Sequence, residues 1–143
     1  MRLLIVIFFL LSFSFSKEIC LDFSEVDLED PYVKKAVIQK LEQYAMESGF
    51  TLTCTESSKR IKVFVNYSEK AISISARQRV STYIFSLNIR IGSESFSSSV
   101  PYSLPSGALA ELPRRKALEE IMKRLKLPII KYFSEIYLGK TKI

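Results

Sequence analysis

From Val80 to Ile91 the chain reads VSTYIFSLNIRI, and its side chains sort by parity. Tyr83, Phe85, Leu87, Ile89 and Ile91 are aromatic or aliphatic, whereas Thr82, Ser86, Asn88 and Arg90 are polar. A period of two held over so long a stretch is the signature of a β-strand buried on one side only. Such a strand needs neighbours of the same kind and an amphipathic layer to cover its apolar side.

The neighbours can be read on either side of it. FTLTC alternates Phe50, Leu52 and Cys54 with threonines. IKVFVNY alternates Ile61, Val63, Val65 and Tyr67 with Lys62, Phe64 and Asn66, and AISISA repeats the pattern through Ile72 and Ile74. Ile19, Leu21 and Phe23, then Val26 and Leu28, predict a first strand with a break. After Gly92 the run SESFSSSV predicts a serine-rich edge strand, and Pro101, Pro105 and Gly107 predict a loop beyond it.

The covering layer is helical. Asp30 before Pro31 is a helix start, because aspartate caps free amides and proline fits the first helical position. Val33, Val37, Ile38, Leu41, Tyr44 and Ala45 then share one stripe up to Gly49. A second helix opens at Pro113. Its stripe is Ala117, Leu118, Ile121, Leu125, Ile129, Tyr132, Phe133 and Ile136, opposite Arg114, Arg115, Lys116, Lys123, Arg124 and Lys131. Pro128 predicts a kink or break there. The order predicts an α+β fold: a mostly antiparallel sheet of four to five strands with two helices packed on one face.

Before this domain stands MRLLIVIFFLL, one positive charge followed by an apolar run too short to span a membrane, which reads as an export signal. Ser14 and Ser16 place small residues for cleavage after Ser16, giving a signal at 1–16 and a single domain at 17–143. The alternative is an N-terminal anchor that is never cut. Removing 16 of the 143 residues leaves 127, enough for a real core. Export would carry the two cysteines, Cys20 and Cys54, into an oxidising space. The reading taken is a Cys20–Cys54 disulfide. Two separate buried thiols, or lipidation of Cys20, are the alternatives; Lys17, Glu18 and Ile19 are a poor approach to a lipoprotein cleavage site.

Composition removes several functions. There is no histidine, which excludes triads and zinc sites built on imidazole. Four glycines leave no phosphate loop, and the serines lack a general base. Asn66-Tyr67-Ser68 is a formal glycosylation triplet that would matter only in a eukaryotic secretory route. The expectation is a non-enzyme without cofactor or metal. With 21 Lys and Arg against 15 Asp and Glu, an exported chain would meet anionic lipid, polyanionic glycan or an acidic partner, and not nucleic acid. Arg77 and Arg79 stand at the turn into the long strand, on one side of the chain and about 7 Å apart, with Arg90 at the strand's far end. Such pairs can hold phosphate or carboxylate, or simply keep a sheet edge soluble.

The succession of DPYVKKAVIQKLEQYAMESGF, SISARQRVSTYIFSLNIRI, a serine-rich strand and YSLPSGALAELPRRKALEEIMKRL resembles the LptE family of lipopolysaccharide-assembly lipoproteins. The resemblance implies a plug within an LptD-type outer-membrane β-barrel, on its periplasmic side, that binds lipopolysaccharide through basic residues. It points to Arg77, with Arg79 as the register-shifted alternative. The family's second basic position is occupied by Glu111, so Arg114, Arg115 or Lys116 would stand in. The chain departs from the family at Cys20, which lacks the small-residue approach of a lipidation site. An auxiliary protein of a lipid-transporting ABC system is the alternative function.

Overall fold

The computed structural model describes residues 17–75, 80–105 and 111–141; the expected signal and its cleavage point, and Arg77, Arg79 and Gly107, lie outside the described residues. Strand β1 is Glu18–Asp22, helix α1 Pro31–Glu47, strand β2 Thr51–Leu52, strand β3 Lys59–Ser75, strand β4 Val80–Ile91, strand β5 Glu94–Pro105 and helix α2 Glu111–Tyr137. The strands form one sheet in the order β2-β1-β3-β4-β5. β3, β4 and β5 are an antiparallel meander, and β1 lies parallel to both β2 and β3. The fold is α+β with a mostly antiparallel, mixed sheet.

The parallel pairs follow from connectivity. Helix α1 is the crossover that returns the chain to the end of the sheet where β1 began, so β2 enters alongside β1 in the same direction. Residues 53–58 then carry the chain to the other flank of β1. A Cys20–Cys54 disulfide with a Cα–Cα distance of 4.7 Å ties that crossing to β1. Ser58 donates its amide to the Thr55 carbonyl and accepts the Thr55 amide at its hydroxyl, each at 3.2 Å, closing the turn.

Helix α1 begins as its cap dictates. Asp30 accepts from the amides of Tyr32 and Val33 at 2.9 and 3.4 Å, and Gly49, at φ +103°, terminates the last turn. Val33, Val37, Leu41, Tyr44 and Ala45 are buried and join one core with Ile61, Val63 and Val65 of β3, Phe85, Leu87, Ile89 and Ile91 of β4, and Leu118, Ile121, Ile129 and Phe133 of α2. Both helices therefore lie on the same face of the sheet. Tyr44 Oη donates to the Met122 carbonyl at 2.9 Å, locking the helices together.

Four expectations are corrected. Helix α2 continues without a break through Pro128, which is exposed; the helix also begins at Glu111, before Pro113. IKVFVNY and AISIS, up to Ser75, belong to one 17-residue strand whose register shifts only between Ala71 and Ser73; Ala76 lies outside the described residues. Pro101 and Pro105 lie within β5 and not in a loop. They share a parity, so both imide nitrogens can face the outer edge, where no ladder bond is lost. Arg124 of α2 donates to the Ser99 carbonyl on that same edge at 3.3 Å. Two prolines and one arginine thus blunt an edge that would otherwise pair with another chain.

Candidate functional site

The helices cover one face of the sheet and leave the other open. The even-numbered residues of β3 from Arg60 to Lys70 and of β4 from Thr82 to Arg90, and the odd-numbered residues of β5 from Ser95 to Ser103, point away from the core, and register lines them up in rows. Phe64, Arg90 and Ser95 form one row, Asn66, Asn88 and Ser97 the next, and Ser68, Ser86 and Ser99 the third. Ser86 and Ser99 are joined hydroxyl to hydroxyl at 2.7 Å, and Thr82 and Ser103 at 3.3 Å. The side chains of Asn66, Asn88, Ser68 and Ser97 make no hydrogen bond with another described residue. A shallow depression of about 180 Å³ is lined by the second and third of these rows.

One end of this face is basic. Arg60 and Lys62 precede Phe64 on the same side of β3, and the Arg90 guanidinium lies over the Phe64 ring at 4.5 Å. Lys62 pairs loosely with Glu25 at 3.7 Å, both well exposed. Neither Arg60 nor Arg90 forms an ion pair within 4 Å among the described residues, though Arg60 and Lys62 both act electrostatically on the nearby Asp22 carboxylate. The formal triplet Asn66-Tyr67-Ser68 lies inside β3, with Asn66 and Ser68 on this face.

A second constellation sits on the core side, at the end of the sheet near the start of α2. Arg114 pairs with Asp30 at 3.0 Å and closely with Glu69, and its guanidinium lies 5.9 Å from the Tyr67 ring. The other oxygen of Glu69 accepts from Tyr102 Oη at 2.6 Å, and Tyr102 stacks on Tyr83 with centroids 5.5 Å apart. Burial opposes the Arg114 charge, but Glu69 and then Asp30 outweigh it, so its pKa is raised. Burial first, then the bond to Glu69, raise the Tyr102 phenol. The node is charge-compensated: one cation between two carboxylates, with a phenol closing the circuit.

The expected site residues are thus dispersed. Arg90 belongs to the open face and Arg114 to the core side. Arg115 lies over the Tyr32 ring at 4.3 Å beside a small cavity of about 60 Å³, and Lys116 is exposed. Glu69, Tyr102, Arg60 and the Asn66–Asn88 pair were not singled out in the sequence. Their grouping depends on strand register, and no local motif marks it. Among the described residues no cluster of His, Cys, Asp or Glu can hold a metal, and no helix is long and apolar enough to cross a membrane.

No protein-family model matches the chain. Among solved structures it is similar to a minor lipoprotein from Acinetobacter baumannii, at 13% identity and TM-score 0.44 over 88% of this chain and 94% of the other. It is also similar to a provisionally named lipoprotein from Caulobacter crescentus, at 10% identity and TM-score 0.45 over 83% and 93% of the two chains. A provisionally named neuraminyllactose-binding hemagglutinin homolog from Helicobacter pylori aligns at 11% identity and TM-score 0.49 over 87% and 89%. These likenesses are too distant for site residues to be transferred. With 62% identity over 138 residues, covering 96% of this chain and 98% of its relative, the chain belongs to the same family as an uncharacterized protein of Aquifex aeolicus (strain VF5).

Proposed function

We propose that this protein is an exported, non-enzymatic component of the cell envelope that serves lipopolysaccharide assembly: it seats in an LptD-type outer-membrane β-barrel from the periplasmic side and binds lipopolysaccharide through basic residues. The observation that carries the reading is the open sheet face. Three long strands offer hydroxyls and amides where a monomeric sheet would ordinarily carry a helix or a mixed charged surface, and such a face suits a hydrated lumen. The apolar N-terminal run and the disulfide support export to an oxidising compartment. The charge balance supports an anionic ligand.

Arg77 and Arg79 remain the family-like candidates for the glycolipid, with Arg90, Arg115 and Lys116 as further exposed cations. Arg114 is the weakest of the set, since Asp30 and Glu69 already neutralise it. The test is affinity purification of the tagged protein from detergent-solubilised outer membranes, with its companions identified by mass spectrometry. A large outer-membrane barrel and co-purified lipopolysaccharide are expected. Recovery of ABC permease components instead would overturn the assembly role and favour the auxiliary-transport function.

A further inference from the structure

We infer that the open face of β3, β4 and β5 is a binding strip for a phosphorylated saccharide, namely the sugar portion of the glycolipid and not its acyl chains. The inference rests on the glycolipid reading above and locates where that ligand lies.

The first observation is a conflict between composition and structure. Asparagine is a poor strand residue, whereas threonine, valine and tyrosine pack well on a pleated surface. The hidden side of the same strands obeys that preference, with Ile61, Val63, Val65, Phe85, Leu87 and Ile89 all buried. The open side places Asn66 directly opposite Asn88, and Ser86 opposite both Ser68 and Ser99. Solubility alone does not require the opposed asparagines, since threonine is polar and favours the strand.

The second observation is the distribution of charge. Arg60, Lys62 and Arg90 gather at one end of the face; Asp22 and Glu25 partly offset Arg60 and Lys62 there, and no carboxylate among the described residues pairs with Arg90. The Arg90 guanidinium lies 4.5 Å from the centroid of the Phe64 ring, a cation–π contact that favours one position for an exposed side chain. Beyond these cations comes an uncharged ladder of amides and hydroxyls, of which Ser86 and Ser99 are bonded to each other, and it lines the depression of about 180 Å³. From Arg60 to Ser68 the strand covers about 27 Å. A cationic end followed by a hydrogen-bonding ladder complements a ligand with an anionic group at one end and a run of hydroxyls behind it. Guanidinium groups bind phosphate bidentately, and asparagine amides offer a donor and an acceptor to neighbouring hydroxyls. The two central rows, Asn66-Asn88-Ser97 and Ser68-Ser86-Ser99, carry no apolar side chain for an acyl chain to pack on; Ile84 and Pro101 stand opposite each other one row beyond.

The test uses the exported form of the full chain, isotope-labelled, and titrates deacylated, phosphorylated lipopolysaccharide core oligosaccharide while amide shifts are followed. The same oligosaccharide after dephosphorylation and intact lipopolysaccharide are titrated in parallel. Two variants are compared with the wild type: Arg60→Ser with Arg90→Ser, and Asn66→Thr with Asn88→Thr, the second chosen because threonine favours the strand. Shifts at Asn66, Ser86, Asn88 and Ser97 are expected. Dephosphorylation and the double arginine variant should each weaken binding at least tenfold, and the double threonine variant about threefold or more. If intact lipopolysaccharide binds the wild type and both variants equally, the strip is overturned while the glycolipid reading stands. If purified barrel and not the oligosaccharide shifts these residues, the face is the barrel contact and the inference is overturned. If neither lipopolysaccharide nor oligosaccharide binds, the glycolipid reading falls and the strip falls with it.

Discussion

Arg114 joins residues that lie far apart in the sequence: Asp30 at the start of α1, Glu69 in β3 and, through Glu69, Tyr102 in β5. All three charged side chains are about three-quarters covered, so removing one partner strands the others out of water. Arg114→Ala is expected to lower stability by about 2 kcal/mol, read as a shift of the urea midpoint at unchanged m value. Tyr102 adds a pH signature. Burial and the bond to Glu69 raise its phenol pKa above the ordinary value of 10. A raised folded-state pKa means that this contribution is complete below pH 10 and is lost as pH climbs beyond it, because the unfolded chain releases a proton that the folded chain keeps. Tyr102→Phe should therefore flatten the alkaline fall in stability by up to about 1.4 kcal/mol per pH unit. The fall should not vanish, since burial also raises the Tyr44 phenol. Little of this node was legible in the sequence. Asp30 could be read as a helix cap, which it is, but its second role appears only when α2 is laid beside α1. Glu69 interrupts the apolar parity of β3 on the core side, and that interruption is what made one long strand read as two short ones.

At the level of elements, legibility follows locality. The limits of α1 are written in Asp30, Pro31 and Gly49, all within reach of the backbone groups they serve. The turn between β4 and β5 is equally local, and Gly92 meets two demands there. Its φ is +59°, and a Cβ at this position would sit 3.0 Å from Tyr132 Oη. Gly92→Ala is expected to destabilise the protein by about 1–2 kcal/mol through the left-handed backbone alone, checked by thermal unfolding. Suppression by Tyr132→Phe would show that the crowding contributes too. The parallel placement of β1 was not legible, because nothing in a short apolar strand states which neighbour it will take. The Cys20–Cys54 link, open in the sequence among three fates, spans 34 residues that include all of α1 and β2. Closing such a loop is worth about 3–4 kcal/mol in a chain-entropy account. Cys20→Ala with Cys54→Ala should lose most of that in denaturant titration. The same Sγ cannot carry a lipid thioether while it is bonded to Cys54, so intact-mass analysis of the exported protein separates the two fates of Cys20.

At the scale of the whole molecule, the two faces of the sheet serve opposite ends. The covered face carries the core from Ile61 to Phe133. The open face gives up strand propensity over its central rows, and its polarity was legible from the parity of Val80 to Ile91. Its row structure was not, because a shift of one residue in the β3–β4 register would turn Asn66 away from Asn88 and send Val65 or Tyr67 into water. Buried apolar residues on the far side therefore fix the alignment of the polar ones. This division makes a prediction about stability that is independent of any ligand. Asn66→Thr and Asn88→Thr replace two weak strand formers, directly opposed in register, by a cross-strand pair of β-branched residues. The propensity scale spans about 1 kcal/mol per residue, so the double variant should be more stable by about 0.5–1.5 kcal/mol. The gain would be seen as a higher urea midpoint and a higher Tm. A loss of stability would mean that the two amides already serve the folded chain, and the open face would then be explained without a partner. A gain would show that the natural sequence forgoes available stability at these positions, as expected where a surface is held for recognition and not for folding.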